Sequence, residues 1–574
     1  MLLSQHVPSL EDRLATLYGD QAQEALAAVN EQFADVEPRG AALGPSWSER
    51  DVVLITYADQ LRDPEHCSPL AALKEWLLEH QLRGKLSTVH LLPFCPFSSD
   101  DGFSVIDYLR VDPAAGDWDD IAGLGEPFDL MFDLVLNHIS QHSQWFHAYL
   151  RGEAPYDKFF VEADPALDYL SVVRPRSLPL LTPVEVNGET RHVWTTFSAD
   201  QIDLNYAEPA VLARMLRILV EYARRGARII RLDAIAFLWK QLGTTCLHLP
   251  RTHEIVKLMR DVTTACEPGT LILTETNVPH KENVSYFGDP PPGLPGDEAH
   301  MVYQFSLPPL LLEAFLSGSA SAIHAWLSSL APPPPGCTFF NFTASHDGVG
   351  VRPLEGLVSQ ERFDALIDAV RARGARINTR RQPDGTDTPY ELCIAYFDAL
   401  TPNTADTPLH ARRFLASQAV MLGLQGMPAV YFHSLVGTPN DTAGADSSGI
   451  HRRINRRKYN RKELDAVLGD PTGVQRQVFD GYRDLLAKRV AEPAFHPEAS
   501  QRVLTQAAPS VLAFERRPAE GRSVLVAVNF AEESATLDLP ERYRQGAADL
   551  ISGIAIPPAS TALLAPGQAV WLVC

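Results

Sequence analysis

Apolar residues along this chain are bunched into eight short unbroken runs. They cover 51–59, 87–95, 128–138, 227–234, 269–276, 299–305, 338–347 and 426–432. Runs of this length without polar alternation read as strands buried on both faces. Most are separated by stretches whose apolar residues recur at helical spacing, among them 72–82, 211–225 and 253–265. Eight units of strand then helix predict an α/β fold, a (β/α)8 TIM barrel.

The pattern breaks in four places. Residues 9–35 are amphipathic and rich in helix formers, with Ser9 before Asp12 resembling an N-cap, so 1–48 reads as an N-terminal helical extension. The barrel then occupies 49–138 and 207–489. Between them, 139–206 is full of Pro, Arg and aromatic residues and reads as an inserted B subdomain. A second insertion, part helix and part loop, spans 348–425, before the last strand. Proline runs at 290–292 and 332–335 mark loops. From 490 to 574 the spacing changes to short alternating strands, which predicts a C-terminal antiparallel β domain.

Composition narrows the partners. The 574 residues carry a formal charge of −21, which argues against nucleic acid or an anionic membrane, while leaving small anionic substrates open. A 45% hydrophobic fraction supports a large core, and no apolar run reaches the ~18 residues of a membrane span. Cys67, Cys95, Cys246, Cys266, Cys337, Cys393 and Cys574 are scattered, which suits free thiols in the cytoplasm.

Three blocks carry chemistry: Arg231-Leu232-Asp233, Thr274-Glu275-Thr276 and His346-Asp347, each after an apolar run. Strand side chains alternate, so Arg231 and Asp233 share a face, and the guanidinium is expected to hold Asp233 ionised. Barrel enzymes place their chemistry at the C-terminal strand ends, where Asp233, Glu275 and Asp347 are expected to end strands four, five and seven. Carboxyls on adjacent strands could approach the roughly 5–5.5 Å of a retaining glycosidic mechanism, with an ionised acid facing a protonated one. Two carboxylates suffice for that chemistry, so neither cofactor nor metal is expected. Asp203 could take part in a calcium site, but no dense Asp/Asn loop is present nearby.

Asp133-Leu-Val-Leu-Asn137-His138, Arg231-Leu-Asp233-Ala234, Glu275 and His346-Asp347 resemble the four signature regions of the α-amylase superfamily, glycoside hydrolase family 13; Gln201-Ile-Asp203-Leu-Asn205 resembles its fifth. The resemblance implies Asp233 as nucleophile, Glu275 as acid/base and Asp347 as transition-state stabiliser, with His138, Arg231 and His346 in a glucose subsite. Leu92-Pro-Phe-Cys-Pro-Phe-Ser-Ser-Asp100-Asp101-Gly-Phe103, Phe305-Ser-Leu-Pro-Pro-Leu310 and Arg453-Ile-Asn455-Arg456 are similar to the sucrose phosphorylase branch. That branch implies Asp100 and Arg452 as glucose clamps, with Arg174, Arg176 and Tyr390 on the phosphate side. It transfers glucose to inorganic phosphate, giving α-glucose 1-phosphate.

The acceptor side departs from sucrose phosphorylase. Glu275 is followed by Thr276-Asn277 instead of Val-His, the acceptor loop reads Thr388-Pro389-Tyr390-Glu391, and Phe237 replaces a tyrosine. This implies the same donor sugar with another aglycone, with Asn277 and Glu391 joining the acceptor residues. Thr274-Glu-Thr-Asn-Val-Pro-His280, Asn283-Val-Ser-Tyr-Phe-Gly288 and Asp384-Gly-Thr-Asp-Thr-Pro-Tyr-Glu391 resemble the glucosylglycerate phosphorylase group. Glycerate would need a cation near its carboxylate, for which His280, Arg381 and Arg174 or Arg176 are candidates. Sucrose phosphorylase, glucosylglycerol phosphorylase and α-glucosidase or transglucosidase activities are the alternatives. The partners expected are small molecules (an α-glucoside, phosphate and glucose 1-phosphate), with a homodimer neighbour as a further source of acceptor-loop residues.

Overall fold

The structure is a computed structural model describing residues 3–39, 47–65, 68–176, 178–381, 386–402 and 407–574, with Arg381 described in its backbone only. Cys67, Asp384, Gly385 and the Arg381 side chain therefore lie outside the described residues. The eight apolar runs form β1 (Val53–Thr56), β2 (Thr88–Leu91), β3 (Asp129–Val135), β4 (Ala227–Asp233), β5 (Leu271–Thr274), β6 (Met301–Tyr303), β7 (Thr338–Asn341) and β8 (Met427–Tyr431). They close in chain order into one barrel, every pair parallel, with β1 joining β8. Their residues are almost entirely buried because helices cover the outside and side chains fill the interior. Helix Pro209–Arg224 shows how: eleven of its sixteen residues are buried, and a Pro at its first turn needs no N–H partner there.

The N-terminal segment forms helices Leu10–Tyr18 and Ala22–Gln32, which lie against the barrel helices Pro209–Arg224 and Pro250–Cys266. Arg13 pairs with Glu254 at 2.9 Å and Asp261 at 2.5 Å. Ser9 precedes the first helix but does not cap it. Its hydroxyl donates to Asp261 Oδ2 at 2.5 Å, so the long-range acid outcompetes the local N–H groups.

Residues between β3 and the next barrel helix form two small antiparallel pairs, His138–Ser140 with Gln201–Asp203 and Leu181–Val186 with Glu189–Trp194. Asp203 ties this insertion to the barrel. Its carboxylate accepts from Asn137 Nδ2 at 3.0 Å and Thr196 N at 2.9 Å, and pairs with Lys240 Nζ at 2.7 Å. The site that sequence reasoning considered for calcium thus holds an ammonium. Both partners are buried, so Lys240→Met leaves an uncompensated carboxylate, and ~3–5 kcal/mol of stability should be lost. Thermal or urea denaturation of the variant measures this.

The second insertion is a three-stranded sheet, Val349–Gly350, Asp387–Cys393 and Arg376–Arg381, beside helix Gln360–Ala372. It is shorter than the expected 348–425, because Thr407–Gly423 is the long helix that leads into β8. Its burial on nearly all sides hides the amphipathic spacing by which the other barrel helices are recognised. The C-terminal residues build a six-stranded antiparallel sheet from Ser500–Leu504 to Ala569–Val573 with a separate two-stranded pair. Trp571 anchors it to the barrel, its Nε1 donating to Ala419 O at 3.3 Å.

Candidate active site

Parallel register brings the two central acids together. Thr274 pairs with Leu232, and Glu275 N donates to Leu232 O at 3.1 Å, so Glu275 follows on beside Asp233. Ala234, next to Asp233, takes a left-handed conformation with φ 52°. That turn aims its N–H at Glu275 Oε2, 3.1 Å away. A non-glycine residue held there carries strain of order 1 kcal/mol, which marks a site that needs the geometry.

Arg231 Nη1 reaches Asp233 Oδ1 at 2.7 Å and also Asp133, whose other oxygen lies 2.6 Å from His90 Nε2. Burial raises Asp133, but Arg231 and His90 outweigh it and hold the group below its ordinary range. Arg231 alone does not set the titration of Asp233. Burial, opposed by Arg231 and reinforced by Glu275, pushes it up to about 8. Burial also raises Glu275, with Asp347 adding to the shift. The two acids titrate as a pair that keeps one proton well above the usual carboxyl range. The direct guanidinium contact favours the anion on Asp233 and the proton on Glu275.

Stability follows with a definite sign. Between the ordinary Asp value of 3.8 and about 8, the folded chain holds a proton that the unfolded chain has released. Stability therefore falls as pH rises through that window. Glu275→Gln removes one member of the pair, so its stability should fall less between pH 5 and 8, by about 1 kcal/mol. Denaturant titrations of both proteins at the two pH values measure the difference.

Asp347 does not end β7; it lies six residues beyond Asn341, in a loop. The loop is fixed from behind. Gly348 N donates to Glu391 Oε1 at 3.0 Å, and a Cβ at Gly348 would lie 2.6 Å from Leu392 O, so a larger residue would not fit. Asn455 Nδ2 donates to Asp347 O at 2.9 Å. Arg452 Nη1 then pairs with Asp347 Oδ1 at 2.6 Å, and its Nη2 with Glu391 Oε1 at 2.8 Å. Glu391 is buried and does not line the cavity. It sits behind Arg452, bound also to Asn378 Nδ2 at 2.8 Å, in place of the acceptor contact expected from its motif.

One cavity gathers Asp100, His138, Arg231, Asp233, Glu275, His346, Asp347 and Arg452 with Arg174, Arg176, Asn277 and Tyr390. Burial would raise Asp100, but Arg176, Arg456 and Arg452 hold it far below its ordinary range. Asp100 and Asp101 are both left-handed, with φ 50° and 51°. Burial depresses His138, whose Nε2 donates to Phe103 O at 2.8 Å. Burial and Arg456 depress His346 further, so it stays neutral and can serve as a donor or acceptor to a hydroxyl. Phe103 stacks on His346 with centroids 4.6 Å apart and planes 8° from parallel. Tyr390 is pushed up to about 12 by burial, so its phenol remains a donor. His280 is not among the lining residues and packs near Phe339.

Sequence reasoning missed several participants. Arg456 is buried; it donates to His346 O at 2.7 Å and pairs with Asp101 at 2.8 Å and Asp100 at 3.4 Å. Arg352 and Arg380 also line the cavity. Arg456 ends the Arg453-Ile-Asn455-Arg456 motif but had no role assigned to it there, and the two others sit in the second insertion without a motif of their own.

Residues 85–325 match the α-amylase catalytic domain, and 501–571 match the C-terminal domain of maltogenic amylase. The chain is 44% identical to a glucosylglycerate phosphorylase of Allomeiothermus silvanus over 98% of both chains. It is 49% identical to one of Spirochaeta thermophila over 83% of this chain and 80% of that one. The crystal structure of sucrose 6F-phosphate phosphorylase from Thermoanaerobacter thermosaccharolyticum superposes with a TM-score of 0.72 at 23% identity, covering 90% of this chain and 98% of that one, a likeness of fold. With a barrel carrying paired acids at the ends of β4 and β5 and full-length kinship of this kind, the chain belongs to the α-amylase superfamily, glycoside hydrolase family 13, in the branch of the glucosylglycerate phosphorylases.

Proposed function

We propose that the chain is a retaining α-glucoside phosphorylase. It converts 2-O-α-D-glucosylglycerate and inorganic phosphate reversibly into α-D-glucose 1-phosphate and glycerate. The observation that supports this reading is one cavity lined both by Asp233, Glu275 and Asp347 and by Arg174, Arg176, Arg352 and Arg380. Glycoside cleavage uses the acids, and anionic acceptors use the guanidiniums.

In the first step the Asp233 carboxylate attacks the anomeric carbon as the bond to the glycerate oxygen breaks, and Glu275 gives that oxygen its proton. In the second, a phosphate oxygen attacks the same carbon, the ester bond to Asp233 breaks, and Glu275 takes back a proton. Asp347 stabilises the positive ring between them. Asp100, His138, Arg231, His346 and Arg452 hold the glucose, while Arg174, Arg176, Asn277 and Tyr390 face the incoming anion. Arg176 reaches Asp100 Oδ2 at 3.2 Å, which joins the phosphate side to the glucose side. A cytoplasmic location suits a sugar phosphate product. Among the described residues no helix is long and apolar enough to cross a membrane, and the six described cysteines are free thiols.

The test is product analysis with and without phosphate. Glucosylglycerate should yield glucose 1-phosphate only when phosphate is present. Free glucose released equally fast without phosphate would reject the proposal. Reverse reactions with glycerate, glycerol and fructose as acceptors separate this activity from glucosylglycerol and sucrose phosphorolysis.

A further inference from the structure

Three arginines of the cavity have committed partners. Arg231 lies between Asp133 and Asp233, Arg176 is 3.2 Å from Asp100, and Arg452 bridges Asp347 and Glu391 at 2.6 and 2.8 Å. Arg352 and Arg380 are arranged differently, because they share a carboxylate. Arg380 Nη2 donates to Glu355 Oε1 at 2.9 Å, while Arg352 Nε stands 3.9 Å from the same oxygen. Glu282 is likewise 3.9 Å from Arg352 Nη2, outside hydrogen-bond distance. The buried Arg352 Nε has no hydrogen-bond partner among the described residues. Burial lowers Arg380, and Arg352 lowers it further, as expected of neighbouring cations. Both side chains are partly exposed, and the buried Nε of Arg352 is an unused donor whose desolvation an incoming anion would relieve.

The position of Arg352 relative to the acid follows from the packing of its strand on the Asn277 side chain. A Cβ on Gly350 would lie 2.4 Å from Asn277 Nδ2, so this strand presses directly on the residue two places after Glu275. Arg352 follows two residues later. In glycerate the carboxylate is bonded to the carbon whose hydroxyl receives the glucose, so its cation must stand close to the proton-transferring acid. Two guanidiniums suit a planar carboxylate better than an ammonium would.

Resting on the glucosylglycerate reading, we infer that Arg352 and Arg380 together form the clamp for the acceptor's carboxylate and thereby set the choice of glycerate over glycerol. Of the residues suggested by sequence, His280 does not line the cavity, the Arg381 side chain lies outside the described residues, and Arg174 and Arg176 remain on the phosphate side.

The experiment supplies α-D-glucosyl fluoride as donor, so that no phosphate enters the first step. Transfer to glycerate, glycerol and phosphate is then compared in wild type, Arg352→Met and Arg380→Met. The readout is the ratio of kcat/KM between acceptors, which cancels differences in the amount of folded enzyme. The glycerate-to-glycerol ratio should fall about 100-fold in each variant. The phosphate-to-glycerol ratio should fall less than about tenfold, since other arginines of the cavity remain. An unchanged glycerate-to-glycerol ratio in both variants overturns the assignment. So does an equal loss for phosphate and glycerate, which would make the pair a general anion site. If wild type itself fails to use glycerate, the proposed substrate falls together with the clamp; if wild type uses it and the variants keep their preference, only the clamp falls.

Discussion

Asp233→Asn should lower glucosyl transfer on the order of 10⁵-fold, because it removes the group proposed to bond to the anomeric carbon. The amide keeps the size of the side chain and can still face Arg231, so the loss belongs to the chemistry. Arg231 retains Asp133 as a partner, which protects the fold. Two measurements check this. Steady-state glucose 1-phosphate formation gives the magnitude. Mass spectrometry after treating wild type with 5-fluoro-α-glucosyl fluoride should find the label on the peptide containing Asp233. A label on another residue, or a β-configured product, would contradict the assigned double displacement.

Glu275→Gln should give the second large effect, and its size should depend on the leaving group. With glucosylglycerate the loss should be about 10³–10⁴-fold, because the departing alkoxide needs a proton. With α-glucosyl fluoride and phosphate the loss should be less than about tenfold, since fluoride leaves unprotonated and phosphate is already an anion. A uniform loss across both donors would mean that Glu275 acts by positioning rather than by proton transfer. The raised pair bears on the pH profile as well. In the proposed mechanism cleavage of the glucoside needs Glu275 protonated, so the wild-type rate should fall as pH rises past the upper titration of the pair. The Gln variant acting on the fluoride should lose that limb.

The barrel was legible because its strands are buried on both faces. DLMFDLV at β3 and ARIIRLD at β4 leave no polar alternation that could be confused with a half-wet sheet. The Arg231–Asp233 contact was legible for the same reason, since two residues along a strand return to one face. Positions fixed by loops were not readable in this way. Asp347 carries the motif of a strand end but stands clear of β7, held by Gly348 and Asn455. Arg452, Arg453 and Arg456 lie within five positions, yet their acids differ: Asp347 and Glu391, then Asp101, then Asp100 with Asp101. No periodicity separates them, because the backbone there is a short 3₁₀ turn and each side chain leaves in its own direction. Glu391 shows the complementary difficulty. Its place beside Tyr390 suggested the acceptor, whereas strand alternation sends the two side chains to opposite faces and leaves Glu391 bracing Arg452.

The pairing of Lys240 with Asp203 carries a consequence for how the enzyme endures its surroundings. The positive charge that fastens the inserted lobe is tethered to the polypeptide, so neither dilution nor a chelating buffer can carry it off. At that joint the lobe is fastened to the barrel by a charge the chain carries itself, fixed in place when the chain folds.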